Sequence, residues 1–558
     1  VDPLYAEAEA SFEHWEVVKD LVDEMIDLML NYRQSGHPGG SRSKVHAMLA
    51  TVLSGAMRWD VRRPWRRHCD RFVLSAGHTI PLVYGTLAVL NEAYRARHER
   101  TGDDRFAFPD DGKYALTWED LTVLRRRGGL AGHAEMEGKT LFIKFNTGPS
   151  GHGMPPAAGE ALALKHAGVG EVKVFTVEGE GGLTPGASHE TKNTAWGLGL
   201  DNLVFLIDWN DFGIDDTPIS RVVHGTPQDW FEPYGWKVSG TEQGSDCGPV
   251  TRSVLEAARG ENPDKVPAVS WHRTRKGRGY LTYDNTSHGA AHKMHSEKFW
   301  TLRKEFMAKY GVRYEGVDEA APSEPAALKA QMHANFAVAM SVLRSRPEVA
   351  DYLTDRLDEL AAMVPDSIPG AYLDGGRSAR VFDDSRIYDF EHYPESLYKK
   401  PGEKAPNRAA LGAWGAYVNT IAKTDYDRPL FLACSADLAA STNIAGFADG
   451  WDGAEGWGWY DRERSPRGAL LPQEITEFAN AGLCVGAATV NLAENPFEHY
   501  DGYWTACSTY GSFSYLKYGA MRLFSQLAQD CDLKVGKVLW VAGHSGPETA
   551  EDSRTHFG

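Results

Sequence analysis

Two apolar, β-rich runs, VKVFTV at 172–177 and NLVFLID at 202–208, are separated by a Gly-rich turn and an Ala-rich helical stretch at 187–199. A short, continuously apolar run reads as a strand buried on both faces, and two such runs joined through a helix form a parallel pair. The pattern extends outward. LFIKF (141–145) and PAVSWHRT (267–274) read as further strands, and 156–167 reads as a helix. Residues 11–33, with Leu21, Met25, Leu28 and Met29 at helical spacing, read as an amphipathic helix. The expected fold is α/β, a mostly parallel sheet with helices on both faces. Composition shifts at 313–330 and at 362–407, and the pattern resumes with PLFLACS (429–435) and KVLWVAG (537–543). These shifts divide the 558 residues into a first domain over 1–320, a linker region over 321–404 and a second α/β domain over 405–558. The second domain is expected to be truncated, because its pattern stops just after a strand.

Composition narrows the function classes. Lys and Arg number 59 against 76 Asp and Glu, a net charge of −17. That balance argues against sequence-independent nucleic-acid binding, whose affinity comes from basic residues on phosphates. The run RRPWRR (62–67) is expected to be a solvated loop. No apolar run approaches the roughly 18–20 residues of a membrane helix. The start VDPLYAEAEA lacks the features of a secretory signal, and with no initiator Met it implies trimming before Val1. Cys69, Cys247, Cys434, Cys484, Cys507 and Cys531 contain no CxxC pair. Neither a zinc site nor a disulfide framework is suggested, and a reduced cytoplasmic compartment is the expectation.

The chemistry concentrates at 172–212. The strand VKVFTV runs into Glu178-Gly179-Glu180-Gly181-Gly182, and NLVFLID runs into Trp209-Asn210. Glu180 and Asn210 therefore stand at the carboxyl ends of neighbouring strands, where open α/β sheets bind ligands. A carboxylate and an amide oxygen beside a Gly-rich turn suit Mg²⁺ holding a diphosphate. Asn210 lies 30 residues after Glu180.

That spacing resembles the thiamine-diphosphate motif, usually a GDG followed about thirty residues later by an Asn, and the wider sequence resembles the transketolase family. The matching segments are SGHPGG (35–40), DRFVLSAGH (70–78), GHAE (132–135), TGPSGHG (147–153), SADLAAS (435–441) and GHSGPETAEDSRTH (543–556). The resemblance implies a diphosphate-binding first domain, a pyrimidine-binding second domain and no C-terminal domain. It implies thiamine diphosphate and Mg²⁺ as cofactors, with Glu180, Asn210 and the Phe212 backbone carbonyl as metal ligands. Gly179 and Gly181 would bind the cofactor beside His78. His37, His78, His133, His288 and His556 would line the reaction channel, where imidazoles can donate to hydroxyls and move protons near neutral pH. His37, His133 and Asp552 would bind the sugar, and Arg408, Ser441 and His544 its phosphate. Glu477 matches the glutamate that shares a proton with the cofactor's pyrimidine and activates it. Glu474 is its competitor. Tyr510 and Phe513 would flank the pyrimidine ring.

The sequence also departs from the family. Glu180 replaces the usual Asp, Pro185 a usual Glu, Thr476 and Phe478 the Arg and His flanking the catalytic Glu, and Arg554 a Pro. Residues 471–489, 200–210 and 543–552 also resemble the first component of homodimeric pyruvate dehydrogenases. The expected activity is transfer of a two-carbon ketol unit from a ketose donor to an acceptor. The alternatives are a pyruvate-dehydrogenase-like decarboxylating component, ketol transfer to a lipoyl or carrier thiol, and a non-catalytic regulatory relative. The resemblance further implies a homodimer sharing its sites, with no nucleic-acid or membrane partner. The abrupt ending suggests a split enzyme whose second polypeptide completes a heterotetramer.

Overall fold

Four largely buried segments and a half-exposed edge strand build the first sheet. The computed structural model describes residues 1–449 and 458–543. Its strands β1 (Arg71–Leu74), β2 (Val174–Gly179), β3 (Leu203–Trp209), β4 (Lys237–Thr241) and β5 (Ala268–Arg273) run parallel in the order β1-β2-β3-β5-β4. Side chains alternate across the pleat. Phe175, Val177, Val204 and Leu206 enter a core with the helices Phe12–Arg33 and Ile80–Thr101. Val174, Leu203, Phe205 and Ile207 enter the opposite core with the helix Met154–His166.

The second sheet has β6 (Phe431–Ser435), β7 (Leu470–Leu471), β8 (Trp504–Tyr510) and β9 (Val538–Gly543), parallel in the order β7-β6-β8-β9. The two sheets share a core. Helix Met154–His166 is buried nearly all round, as a helix sandwiched between two layers must be. Its partner is the helix Glu477–Thr489, and small residues let the two backbones meet. A Cβ at Gly159 would overlap Leu483, one at Gly482 would overlap Pro155, and one at Gly486 would overlap Pro156.

Three expectations change. LFIKF (141–145) is not a strand. It holds a single bridge, Ile143 to Phe72, because Lys144 turns its buried ammonium back onto the carbonyls of Leu141 (2.6 Å) and Pro64 (2.7 Å). The linker expected over 321–404 begins instead after Val364. Helices Pro325–Arg344 and Pro347–Ala362 place Met332, Phe336, Met340, Leu353 and Leu357 in the first core. The run RRPWRR clasps this extension rather than standing in solvent: Arg62 binds Asp358 at 3.0 Å, and Arg66 binds the carbonyls of Ala361 and Val364.

The irregular chain that follows is anchored on the second sheet by a fully buried ion pair, Arg428–Asp501 at 2.7 Å. Asp501 also accepts from Ser378 Oγ (2.6 Å) and Gly375 N (2.7 Å). Removing one member of such a pair strands a charge in the interior. Arg428→Met is therefore expected to destabilise the second domain by about 3–5 kcal/mol in urea unfolding. Adding Asp501→Asn should recover part of that loss; a midpoint unchanged in the single variant would contradict the assignment.

Candidate functional site

A cavity of about 380 Å³ opens at the carboxyl ends of β2 and β3. β2 ends at Gly179, and residues Glu180–Leu183 turn once as a 3₁₀ helix across the mouth. Glu180 is 2% exposed. Its Oε1 accepts the backbone N–H of Asn210 (3.0 Å) and that of Asp211. Two consecutive amides converge because Asp211 is left-handed, φ 68°, a conformation a non-glycine residue keeps only when its surroundings impose it. Ser220 does so, donating to Asp211 from its N–H (2.8 Å) and its hydroxyl (3.0 Å). Burial, and then the neighbouring Asp208 carboxylate, push the Glu180 carboxyl up to about 8.

Glu178 ties two further loops to this turn. Its carboxylate accepts from Ser75 Oγ (2.8 Å), Gly151 N (2.7 Å) and Gly179 N (2.8 Å). Gly182 must be glycine, since a Cβ there would overlap that carboxylate. Asp208, two residues before Asn210 on the same strand face, accepts from Lys44 Nζ (2.8 Å), Ser43 Oγ (2.6 Å) and Asn210 Nδ2 (2.9 Å). Asn210 Oδ1 accepts from Phe212 N (3.1 Å). The Phe212 and Gly213 carbonyls accept from Lys276 Nζ at 3.3 and 2.6 Å.

Four of the five expected histidines gather beside the cavity. Ring centroids lie 5.0 Å apart for His37–His78, 5.1 Å for His37–His288, 5.4 Å for His78–His288 and 6.2 Å for His37–His133. Lys276 Nζ donates to His288 Nδ1 at 2.9 Å, so a neutral His288 carries its proton on Nε2. Burial and neighbouring cations or imidazoles lower His37 and His288 to about 4, and burial first, then Lys44, holds His78 well below the usual value. The sequence reading missed Lys44, Lys276, Glu178 and Asp208. For Asp208 the two-residue offset from Asn210 was an available signal.

A second cluster forms at the carboxyl edge of the second sheet. Glu477, 8% exposed, opens the helix Glu477–Thr489, and Thr509 Oγ1 donates to its Oε1 at 3.3 Å. Its competitor Glu474 is exposed. Glu190, from the first domain, accepts the Ala479 N–H (2.8 Å) at that helix start. Tyr510 and Ser441 share a hydroxyl–hydroxyl bond, and Phe513 lies on the 3₁₀ turn Gly511–Lys517. Arg408 is in the first turn of the helix Asn407–Tyr426, whose Gly412 packs on Asn443. Among the described residues, none of this cluster lines the first cavity. His544, Asp552 and His556 lie outside the described residues.

The histidines' neutrality has a measurable consequence. Their folded values lie below the usual 6.5, so between about 6.5 and about 4 the unfolded chain binds more protons than the folded one. The stability they contribute is complete above about 6.5 and is lost as pH falls through that window. His37 and His288 imidazole signals followed by NMR are expected to titrate near 4; midpoints near 6.5 would contradict the burial described.

Comparison with known proteins completes the picture. Residues 110–359 match the family model described as transketolase, thiamine diphosphate binding domain. The chain is 28% identical to a transketolase of Bacillus subtilis over 425 residues, covering 73% of this chain and 54% of the relative. It is 26% identical to a chloroplastic transketolase of Arabidopsis thaliana over 547 residues, covering 94% and 61%. A match to a transketolase of Halalkalibacterium halodurans, 27% identical, covers 49% of this chain and 39% of the relative. The chain thus spans about two fifths to three fifths of these relatives' length. Solved transketolases of Leishmania mexicana and Campylobacter jejuni share its fold with TM-scores of 0.64 and 0.65, each at 20% identity, over 97% of this chain and 70% and 71% of theirs. Over residues 110–359 the chain is thus similar to the thiamine-diphosphate-binding domain of transketolases, and over nearly its whole length it shares the fold of solved transketolases.

Proposed function

We propose that this chain works in a thiamine-diphosphate-dependent, transketolase-like transfer of a two-carbon ketol unit from a ketose, or ketose phosphate, to an acceptor. The observation that carries the reading is the convergence of His37, His78, His133 and His288 beside the β2–β3 cavity. The cavity suits a diphosphate: Gly179 and Gly181 line it with backbone alone, so backbone can approach the anion with no side chain between them. The oxygens expected for Mg²⁺, from Glu180, Asn210 and the Phe212 carbonyl, lie together and are hard donors of the right kind.

When bound, thiamine diphosphate supplies a carbon nucleophile and electron sink. The chain's own residues do the rest. His288 offers its Nε2–H to a sugar hydroxyl, because Lys276 occupies its other nitrogen. The remaining imidazoles are neutral at pH 7, so each can accept a hydroxyl proton. Glu477, Tyr510 and Phe513 would hold and activate the pyrimidine half, and Arg408 and Ser441 would meet the substrate's phosphate. Four hydroxyl-matching imidazoles favour a sugar over a 2-oxo acid, which needs fewer donors.

Because Glu477 does not reach the Glu180 cavity within one chain, we assign each complete site to two copies. Exposed apolar residues support a second copy: Ile214 (74%) and Val222 (74%) beside the first cavity, and Ile475 (80%) and Tyr515 (80%) beside the second cluster. All six cysteines are unpaired, which suits a reducing, cytoplasmic setting.

Mixing Glu180→Ala with Glu477→Ala tests the shared site. Random subunit exchange makes about half of the dimers hybrids with one intact site, so ketol transfer should return in the mixture. No recovery after confirmed exchange would refute the arrangement. Turnover of a 2-oxo acid but of no ketose would refute the substrate class.

A further inference from the structure

The helix Pro38–Ser43 follows directly on His37, is six residues long and has no side-chain cap at its start. A short helix of this kind has little stability of its own, so its place must be set by contacts from elsewhere. Arg42, in its last turn, makes them. Arg42 is 6% exposed and lines not the β2–β3 cavity but a separate pocket of about 280 Å³, with Asp23, Glu24, Arg278 and Arg303. Its guanidinium forks onto three acceptors. Nε donates to the Arg278 carbonyl (2.9 Å), Nη2 to the Gly279 carbonyl (3.0 Å) and Nη1 to the Asp27 carboxylate (2.8 Å). Gly279 is left-handed, φ 64°, and a Cβ there would stand 2.9 Å from Nη2, so the close approach requires glycine. Arg278 reciprocates: its Nε and Nη2 donate to the Arg42 carbonyl at 3.2 and 3.0 Å.

These bonds join the two segments that carry His37 and His288. Gly277 N donates to the Gly39 carbonyl (3.1 Å), and a Cβ at Gly39 would overlap Ser287, the residue before His288. The two imidazoles meet across this junction with ring centroids 5.1 Å apart. The nearby carboxylates do not depend on Arg42. Asp23 keeps Arg278 at 2.6 Å, and Asp27 keeps Arg303 at 2.6 Å. The Arg278 and Gly279 carbonyls do depend on it, since among the described residues Arg42 is the one donor to either. A planar fork is what this task needs, because an ammonium is a point charge and cannot hold two carbonyls and a carboxylate in fixed directions.

We propose that Arg42 is a positioning residue whose fork onto the Arg278 and Gly279 carbonyls sets the spacing of His37 and His288, and through them the grip on a substrate's hydroxyl groups. The proposal deepens the ketol-transfer reading and rests on it only for the identity of the substrate. Arg42 touches neither the Gly179–Gly182 turn nor Asn210, so its effect falls on the imidazoles and not on the cofactor's diphosphate. A displacement of about 1 Å at groups that orient a substrate can cost on the order of 100-fold in rate. Here Arg278 still binds the Arg42 backbone after the side chain is cut back, so the expected loss is smaller.

Arg42→Met and Arg42→Lys in the full chain test this with three readouts. NMR titration of the imidazoles reads the junction itself, and the His37 and His288 midpoints are expected to rise from about 4 toward 6.5 as the two segments part. With a ketose phosphate as donor, kcat/KM should fall by about tenfold. Calorimetry with thiamine diphosphate in Mg²⁺ should give a Kd within about threefold of the parent's. Arg42→Lys keeps the charge beside Asp27 but not the fork, so it should behave like Arg42→Met, and it carries the test if Arg42→Met does not fold. A folded Arg42→Lys with parental midpoints and kinetics would overturn the proposal, because charge alone would then suffice. A lowered urea midpoint with unmoved imidazole titrations would also overturn it, leaving Arg42 a purely structural role. If the parent turns over no ketose, the titrations still decide the positioning, and the ketol-transfer reading is what fails.

Discussion

One carboxylate oxygen, Glu180 Oε1, receives the backbone N–H groups of Asn210 and Asp211, and the site depends on that convergence. It locks the turn after β2 to the turn after β3. It thereby sets where Asn210, Phe212 and the rim of the cavity stand. The lock requires Asp211 to be left-handed, and Ser220 holds it so with two hydrogen bonds. Backbone strain of this kind costs on the order of 1–3 kcal/mol and persists where surrounding bonds over-determine it. The family's usual residue at position 180 is Asp. Here the longer Glu lies across the gap between the two strand ends and is bonded to both consecutive amides.

Around this lock the electrostatics serve two tasks. On one side, buried Lys44 and Lys276 bring positive charge next to a Gly-rich turn whose carboxylates are all occupied by protein donors. On the other, burial and those same cations keep the imidazoles neutral. Neutral imidazoles can both accept and donate protons, and imidazolium could only donate. The seam of Gly159, Gly482 and Gly486 carries this arrangement into the second domain, because it lets the helix that begins at Glu477 press directly on the helix behind β2. The carboxylate of Glu190 accepts a backbone N–H in the first turn of the same helix. The two clusters are therefore held in a fixed relation within one chain, each presenting an open face.

Much of the fold was legible because burial on both sides writes a simple pattern. VKVFTV and NLVFLID are apolar throughout and became β2 and β3, and PLFLACS and KVLWVAG became β6 and β9. β4, KVSGT, was missed because an edge strand is half exposed and needs no apolar run. LFIKF misled because five residues are too few to distinguish a strand from a buried turn. Residues 325–362 fell inside the expected linker because the composition shifts at 313–330 and again at 362–407, yet their apolar residues recur at helical spacing and pack into the first core. Spacing and motif singled out Glu180, Asn210, His37, His78, His133 and His288, which lie together at or beside the cavity. They did not single out Lys44 and Lys276, because nothing local marks a lysine that becomes buried only when a helix, a strand end and a distant loop meet.

The central claim is that the β2–β3 cavity holds thiamine diphosphate and that Glu477 activates it. Exchange of the thiazolium carbon-bound hydrogen of the protein-bound cofactor with solvent deuterium, followed by NMR, tests both parts at once. The account predicts exchange orders of magnitude faster than in free thiamine diphosphate, falling back toward the free rate in Glu477→Ala while calorimetry still shows the cofactor bound. Bound cofactor exchanging at the free rate in the parent, or fast exchange surviving in Glu477→Ala and lost instead in Glu474→Ala, would contradict it.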